Sequence, residues 1–360
     1  MSAQRQHIGF CTSRDGVRIA YAKLGKGPPL VRAAHFLTHL DHDLGSPVWR
    51  PWLDELSRNN TLVRYDGRGC GLSDRTCADL SLEAAVADLE AVVNAAGIEK
   101  FALLGCSQGS AISIAYAAAH PDRVERLILY GGYARGPMKR NPSAEQIEEG
   151  KMLVDLIRLG WGRENPAFRQ VFTSLFLPEG TPEQVSQFNE LERLSASPEM
   201  AATIVSSFGQ LEVTALAGRI RCPTLVLHTE GDARVPFEEG RLLAGLIPGS
   251  RFVMLQSRNH ILLGHEPTFH TCFAYIHDFL GEGATAKALG FPELTAREFE
   301  ILELLAHGLD NWQIAARMSL SEKTVRNNAS RIFDKIGVHT RAQAIVKARQ
   351  AGLAGIPLPS

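Results

Sequence analysis

The sequence predicts an α/β domain on a mostly parallel sheet, interrupted by a purely helical stretch and followed by a separate all-α unit of four short helices. Three observations carry this. Through the first two-thirds of the 360 residues, short apolar runs alternate with helical ones, the rhythm of βαβ units. Between Tyr133 and Arg221 the strand-like runs stop. The charge also splits: from Arg317 to Ser360 there are eight basic and two acidic side chains, a balance of +6, so a chain of net −1 leaves −7 on the part before it. A basic tail on an acidic body is the pattern of a nucleic-acid module joined to something else.

In chain order, "HIGFCTS" and "VRIAYAKL" flank Arg14-Asp15-Gly16, where Asp-Gly signals a hairpin. "PPLVRAA", "TLVRYD", "FALLG", "VERLILYG", "PTLVLHTE" and "RFVMLQS" follow, apolar runs without strict alternation. Such runs suit strands buried on both faces of a parallel sheet. "LSLEAAVADLEAVVNAAG" is a helix between two of them. "SAEQIEEGKMLVDLIRLGWG", "PAFRQVFTSLFLP", "TPEQVSQFNELERLSA" and "EMAATIVSSFGQLEV" read as helices, with Pro at several starts. They predict a cap over the strand ends across about 134–220. The composition turns small and loose near 281–292, a linker between a domain at 1–280 and another at 293–360.

No run approaches 18 uninterrupted apolar residues, so no membrane partner is expected. The N-terminus lacks a basic-then-apolar signal, which points to the cytoplasm. Six scattered cysteines form no CxxC pair, the usage of reduced thiols.

"FALLGCSQGSA" reads as a buried strand, a tight turn at Gly105-Cys106-Ser107-Gln108-Gly109, then a helix. Gly-x-Ser-x-Gly in that context lifts a serine hydroxyl clear of the sheet, at a helix N-terminus that favours a developing anion. Such a serine needs an acid and then a histidine later in the chain. Asp232 follows a glycine at the end of "PTLVLHTEGD", and His260 follows "RFVMLQS", with His265 as rival base. "HFLTHLDHD" gathers His35, His39, Asp41, His42 and Asp43, but the spacing fits no zinc motif, so no metal and no cofactor are expected.

With "RYDGRGCGLSD" at Arg64 to Asp74 and the histidine stretch ending "GHEP", the segment from about Gln6 to Leu280 resembles the α/β-hydrolase family. The resemblance implies Ser107 as nucleophile, His260 as base and Asp232 as its orienter. It also implies an oxyanion hole from the backbone N–H groups of Phe36 and Gln108. His35 stands where the family usually has glycine, a change expected to distort the Phe36 donor and leave ester hydrolysis slow or vestigial.

"LTAREFEILELLAHGLDNWQIAARMSLSEKTVRNNASRIFDKIGVHTRAQAIVKARQAGL" parses as four helices. Thr295 and Ser321 are N-cap residues, Glu298 completes a capping box, and Gly308 and Gly337 are stops. In the third helix Val325, Ala329, Ile332 and Ile336 share one face, and Lys323, Arg326, Asn327 and Ser330 the other. The segment resembles the LuxR-type helix-turn-helix. By that resemblance Arg326, Asn327 and Ser330 face bases, while Lys323, Thr324, Arg331 and Lys335 hold phosphates. The fourth helix serves dimerisation, so the expected partner is promoter DNA carrying an inverted repeat, read by a homodimer. Together the two resemblances imply a DNA-binding transcriptional regulator sensing a small molecule through a hydrolase-like domain. The alternative is a serine esterase or lipase with an accessory DNA-binding domain.

Overall fold

The computed structural model describes residues 6–281, 290–291, 293–318, 320–351 and 353. Most of the expected linker, residues 282–289 and 292, lies outside the described residues. The chain divides into two compact units, one of residues 1–252 with 257–264, the other of residues 253–256 with 265–360.

Eight strands form one sheet: β1 (His7–Thr12), β2 (Arg18–Gly25), β3 (Pro29–Arg32), β4 (Thr61–Tyr65), β5 (Phe101–Cys106), β6 (Val124–Tyr130), β7 (Thr224–Thr229) and β8 (Arg251–Leu255), in spatial order β1-β2-β4-β3-β5-β6-β7-β8. β1 and β2 make the expected antiparallel hairpin, with Ser13 N–H on the Val17 carbonyl and Gly16 at φ 89° in its turn. β2 joins β4 antiparallel, and the pairs from β4 through β3, β5 and β6 to β7 are parallel. Every residue of β7 is buried, which explains its unbroken apolar run.

The helices of the first unit are α1 (Leu40–Gly45), α2 (Trp49–Leu56), α3 (Leu82–Ala95) and α4 (Gly109–Ala119), then a helical insertion of α5 (Ala144–Gly160), α6 (Ala167–Phe176), α7 (Pro182–Ser195), α8 (Pro198–Gly209) and α9 (Thr214–Ala217), and α10 (Phe237–Leu246). The insertion is well capped. Ser143 and Thr181 each close a capping box with the glutamine three residues on, and Pro182 and Pro198 open helices. Inside it the guanidinium of Arg169 donates to the carbonyls of Trp161, Arg163 and Asn189. That set of donors suits a planar fork better than an ammonium.

The second unit contains α11 (Pro267–Leu280), α12 (Ala296–Ala306), α13 (Asn311–Met318), α14 (Glu322–Ile336) and α15 (Arg341–Gln350). Thr295 and Glu298 close the predicted capping box, Ser321 caps α14, and Gly337 ends it in the left-handed conformation. Ile301, Leu302, Leu305, Ile314, Val325, Ile332 and Ala344 are wholly buried in one cluster. Burial of each such aliphatic side chain is worth about 1.5–3 kcal/mol, so the four short helices have a core of their own. Among the described residues no helix is long and apolar enough to cross a membrane.

Candidate active site and nucleic-acid interface

Ser107 stands between β5 and α4 at φ 51°, a left-handed conformation that costs a residue with a side chain strain energy. Its N–H donates to the Tyr130 carbonyl at 2.8 Å. Space requires glycine at 105 and leaves 109 tightly fitted. A Cβ on Gly105 would lie 2.7 Å from the Gly109 carbonyl oxygen and the Ser113 Oγ, and one on Gly109 would lie 3.0 Å from the Ala34 carbonyl oxygen. The Gly-x-Ser-x-Gly pattern thus folds as the sharp strand-to-helix turn that the sequence predicted.

Asp232 follows β7, and its side chain is wholly buried. Its Oδ1 accepts from the N–H groups of Arg234 and Val235, and its Oδ2 accepts from His260 Nδ1 at 2.7 Å. Burial pushes the Asp232 carboxyl up, but His260 beside it and the Val235 N–H outweigh this and hold it below the usual carboxylate range. His228 lies 3.5 Å from the same oxygen, and burial pushes its imidazole down. The His260 backbone is pinned on both sides: its N–H donates to the Phe176 carbonyl, and its carbonyl accepts from the Tyr130 hydroxyl. Since Asp232 accepts at Nδ1, Nδ1 carries the proton and Nε2 is left to act as a base.

His260 and Ser107 both line a cavity of about 1000 Å³ under the helical insertion. His265 is not among the residues that line it. Phe36, Met138, Ile147, Leu153, Phe188 and Phe208 form much of its apolar wall. Phe36 and Gln108 both line it too, and neither backbone N–H has an acceptor among the described residues. Leu37, next to Phe36, is held at φ 65°. Leu37 and Ser107 are thus two left-handed residues other than glycine in one cavity wall, and strained backbone of this kind gathers at functional sites.

His35 also lines the cavity, and its ring packs against Trp49 at 4.9 Å between centroids. Its Nδ1 donates to the Phe36 carbonyl at 2.6 Å. Burial, then Arg32, pushes the imidazole down to about 3, so it is neutral. The other polar residues of the loop have structural duties. His39 caps α1 by accepting from the His42 N–H, His42 meets the Gln187 carbonyl, and Asp43 is buried between Arg64 at 2.8 Å and Arg32 at 3.5 Å.

In the second unit α14 buries Val325, Ala329, Ile332 and Ile336 and exposes Lys323, Thr324, Arg326, Asn327, Ser330 and Arg331. Lys335 is also exposed, but its ammonium is held by both oxygens of Glu298 at 2.6 and 2.9 Å. No sequence signal marked that pair, which spans 37 residues. Sequence reasoning also passed over Tyr130, Tyr133, Phe176 and Arg234 at the cavity; the one hint was that Arg234 stands two residues after Asp232.

Comparison with known proteins agrees with this fold. The alpha/beta hydrolase fold model matches residues 38–267, and the model of bacterial regulatory proteins of the luxR family matches residues 292–348. The chain is similar to 2-hydroxy-6-oxo-2,4-heptadienoate hydrolase of Pseudomonas putida, 28% identical over 269 residues, covering 70% of this chain and 89% of the relative. It is similar to pyrrolizixenacetamide deacetylase of Xenorhabdus hominickii, 26% identical over 243 residues, with 67% and 87% covered. Among solved structures, a thermophilic esterase from Thermogutta terrifontis matches at TM-score 0.62 and 26% identity, covering 77% of this chain and 98% of that one. The chain belongs to the alpha/beta hydrolase fold family and carries a C-terminal DNA-binding domain of the luxR family of bacterial regulatory proteins.

Proposed function

We propose that this transcription regulator senses a small molecule in the cavity that holds Ser107 and His260. The observation that carries the reading is the cavity: about 1000 Å³, at the upper end for small-molecule sites, apolar for the most part, on a chain that also presents a polar helix face suited to a DNA groove. Arg326, Asn327 and Ser330 read bases in this account, and Lys323, Thr324 and Arg331 hold phosphates. Lys335 joins them only by exchanging its Glu298 partner. Two protomers, meeting through α15 where Val346 is exposed, bind an inverted repeat of half-sites about one helical turn apart.

The hydrogen-bonded Asp232–His260 pair supports a chemical step on the ligand. Ser107 Oγ attacks a carbonyl carbon and its proton passes to His260 Nε2. Asp232 stabilises the imidazolium. The N–H groups of Phe36 and Gln108 receive the oxyanion. The leaving alcohol or amine departs with the His260 proton, and water, deprotonated by His260, releases the acid and restores Ser107. A purely enzymatic reading is favoured by one observation, that both those N–H groups lack an acceptor among the described residues. The relatives named above are by name a hydrolase, a deacetylase and an esterase, which is consistent with either role.

The test compares wild type with Ser107→Ala in DNA affinity, ester turnover and ligand-induced thermal shift. A metabolite that raises the melting temperature and changes DNA affinity supports the sensor. Fast turnover with DNA affinity indifferent to every ligand of the cavity supports the enzyme instead.

A further inference from the structure

Among the described residues, one cation of the cavity stands without an ion-pair partner. Four lining residues are cationic: Arg140, Lys151, Arg158 and Arg234. Arg140 lies 3.6 Å from Glu239, Lys151 2.6 Å from Glu148, and Arg158 3.5 Å from Asp155 and 3.3 Å from Glu199. Among the described residues the guanidinium of Arg234 has neither a carboxylate within ion-pair distance nor a hydrogen-bond acceptor. Its aromatic contacts hold it in place, 5.6 Å from the Phe172 centroid and 5.8 Å from that of Phe176. Phe176 in turn lies 5.4 Å from the His260 ring. The nearby carboxylate, Asp232, is committed to His260 and to two backbone N–H groups. Glu149, which also lines the cavity, is exposed on α5.

A half-buried guanidinium without a partner is costly to the folded state, and the cost is removed when an anion arrives. A planar fork of N–H donors matches a carboxylate in bidentate fashion. Tyr133 is beside it: its phenol is buried in the same wall, has no hydrogen-bond partner among the described residues, and burial pushes it up so that it stays a donor. One uncompensated positive charge balances one negative charge, which favours a monocarboxylate over a phosphate dianion.

We propose that Arg234, with Tyr133, is the specificity-determining subsite for a ligand that carries a carboxylate next to its hydrolysable ester, lactone or amide. The carboxylate lies on the guanidinium, one aromatic ring away from His260, and the apolar chain between the two functional groups lies along Phe176. The proposal rests on reading Ser107 and His260 as the reacting pair, but its binding part can be measured without turnover.

The experiment uses the full chain and two probes differing by one charge, mono-4-nitrophenyl glutarate and its methyl ester. Wild type should prefer the acid by about ten- to a hundredfold in kcat/KM, the range of a charge-assisted hydrogen bond. In Arg234→Gln that preference should vanish, and Arg234→Lys should restore part of it. The melting temperature of Arg234→Gln should fall by no more than the loss of its contacts with Phe172 and Phe176 accounts for, since no ion pair is broken. Equal preference in wild type and Arg234→Gln overturns the proposal and leaves the hydrolase reading standing. If neither ester turns over, the hydrolytic reading fails, and titration calorimetry with glutarate decides the subsite. Binding to wild type that is lost in Arg234→Gln supports it, while absent or unaltered binding overturns it.

Discussion

Replacing Asp232 by asparagine separates the two tasks of this carboxylate. Its Oδ1 ties down the turn after β7 through the N–H groups of Arg234 and Val235, each at 2.8 Å, and its Oδ2 faces His260 Nδ1. An asparagine keeps an oxygen for the two amides, so the turn survives. Its NH₂ group then points at His260 Nδ1 and is satisfied only if that nitrogen becomes the acceptor. The proton moves to Nε2, and the imidazole can no longer take one from Ser107. Turnover of 4-nitrophenyl acetate should fall about 10⁴-fold, the loss known for the wrong tautomer in a serine triad. One charge-assisted hydrogen bond is exchanged for a neutral one, so the stability loss should be about 1–2 kcal/mol, a few degrees in Tm. Asp232→Ala should cost more, about 3–5 kcal/mol, because it also orphans two buried amides and breaks a buried pair. The ionised form is the one favoured by the fold. The stability it contributes is therefore complete above the unfolded-state value near pH 4 and is lost as pH falls through the depressed folded-state value. Asp232→Asn should remove that part of the acid limb. Calorimetry from pH 3 to 7 and esterase assays against a Ser107→Ala background provide the readouts. Turnover of the asparagine variant within tenfold of wild type, or stability as poor as that of Asp232→Ala, would refute the reasoning.

Ser107→Ala should abolish ester turnover and leave DNA affinity in a gel-shift assay unchanged; retained turnover would remove Ser107 from the chemistry. Arg326→Ala should weaken specific binding by about 1–3 kcal/mol and relax one base position, measured by titrating single-base operator variants, whereas an equal loss on every sequence would make Arg326 a phosphate contact. Glu298→Gln keeps a side-chain acceptor for the capping box at Thr295 and frees the Lys335 ammonium; the slope of log K against log salt should steepen by about 0.9, and an unchanged slope would show that Lys335 never reaches a phosphate. Gly109→Ala places a Cβ 3.0 Å from the Ala34 carbonyl oxygen, so it should displace the Phe36 loop and lower kcat more than it raises KM; normal turnover would exclude that loop from the oxyanion site.

The strands were legible because burial on both faces leaves a signature in composition: β7 reads Thr-Leu-Val-Leu-His-Thr and is buried throughout. The caps were legible because they are local, Thr295 to Glu298 and Ser321 to Thr324 being three residues apart. The order of the sheet was not, since nothing in "PPLVRAA" or "TLVRYD" says that β4 inserts between β2 and β3. The same limit hid the charges. Asp43 in a histidine-rich loop suggests a ligand set until Arg64, 21 residues on, is seen to claim it. Lys335 on a basic helix suggests a phosphate contact until Glu298 is seen holding it.

His35 shows how such a contact reverses a local argument. By sequence, a side chain in place of glycine threatens the Phe36 N–H donor. In the fold the ring packs on Trp49, its Nδ1 is occupied by the Phe36 carbonyl, and the Phe36 N–H has no acceptor among the described residues. The strain is borne one residue later, at Leu37 with φ 65°. A loop that stores strain at Leu37 and stacks His35 on a tryptophan is less free to relax around a changing oxyanion than one built on glycine. On the proposed reading that rigidity sets the Phe36 and Gln108 N–H groups before any oxyanion forms, and the ester turnover of wild type against Ser107→Ala measures whether chemistry takes place there.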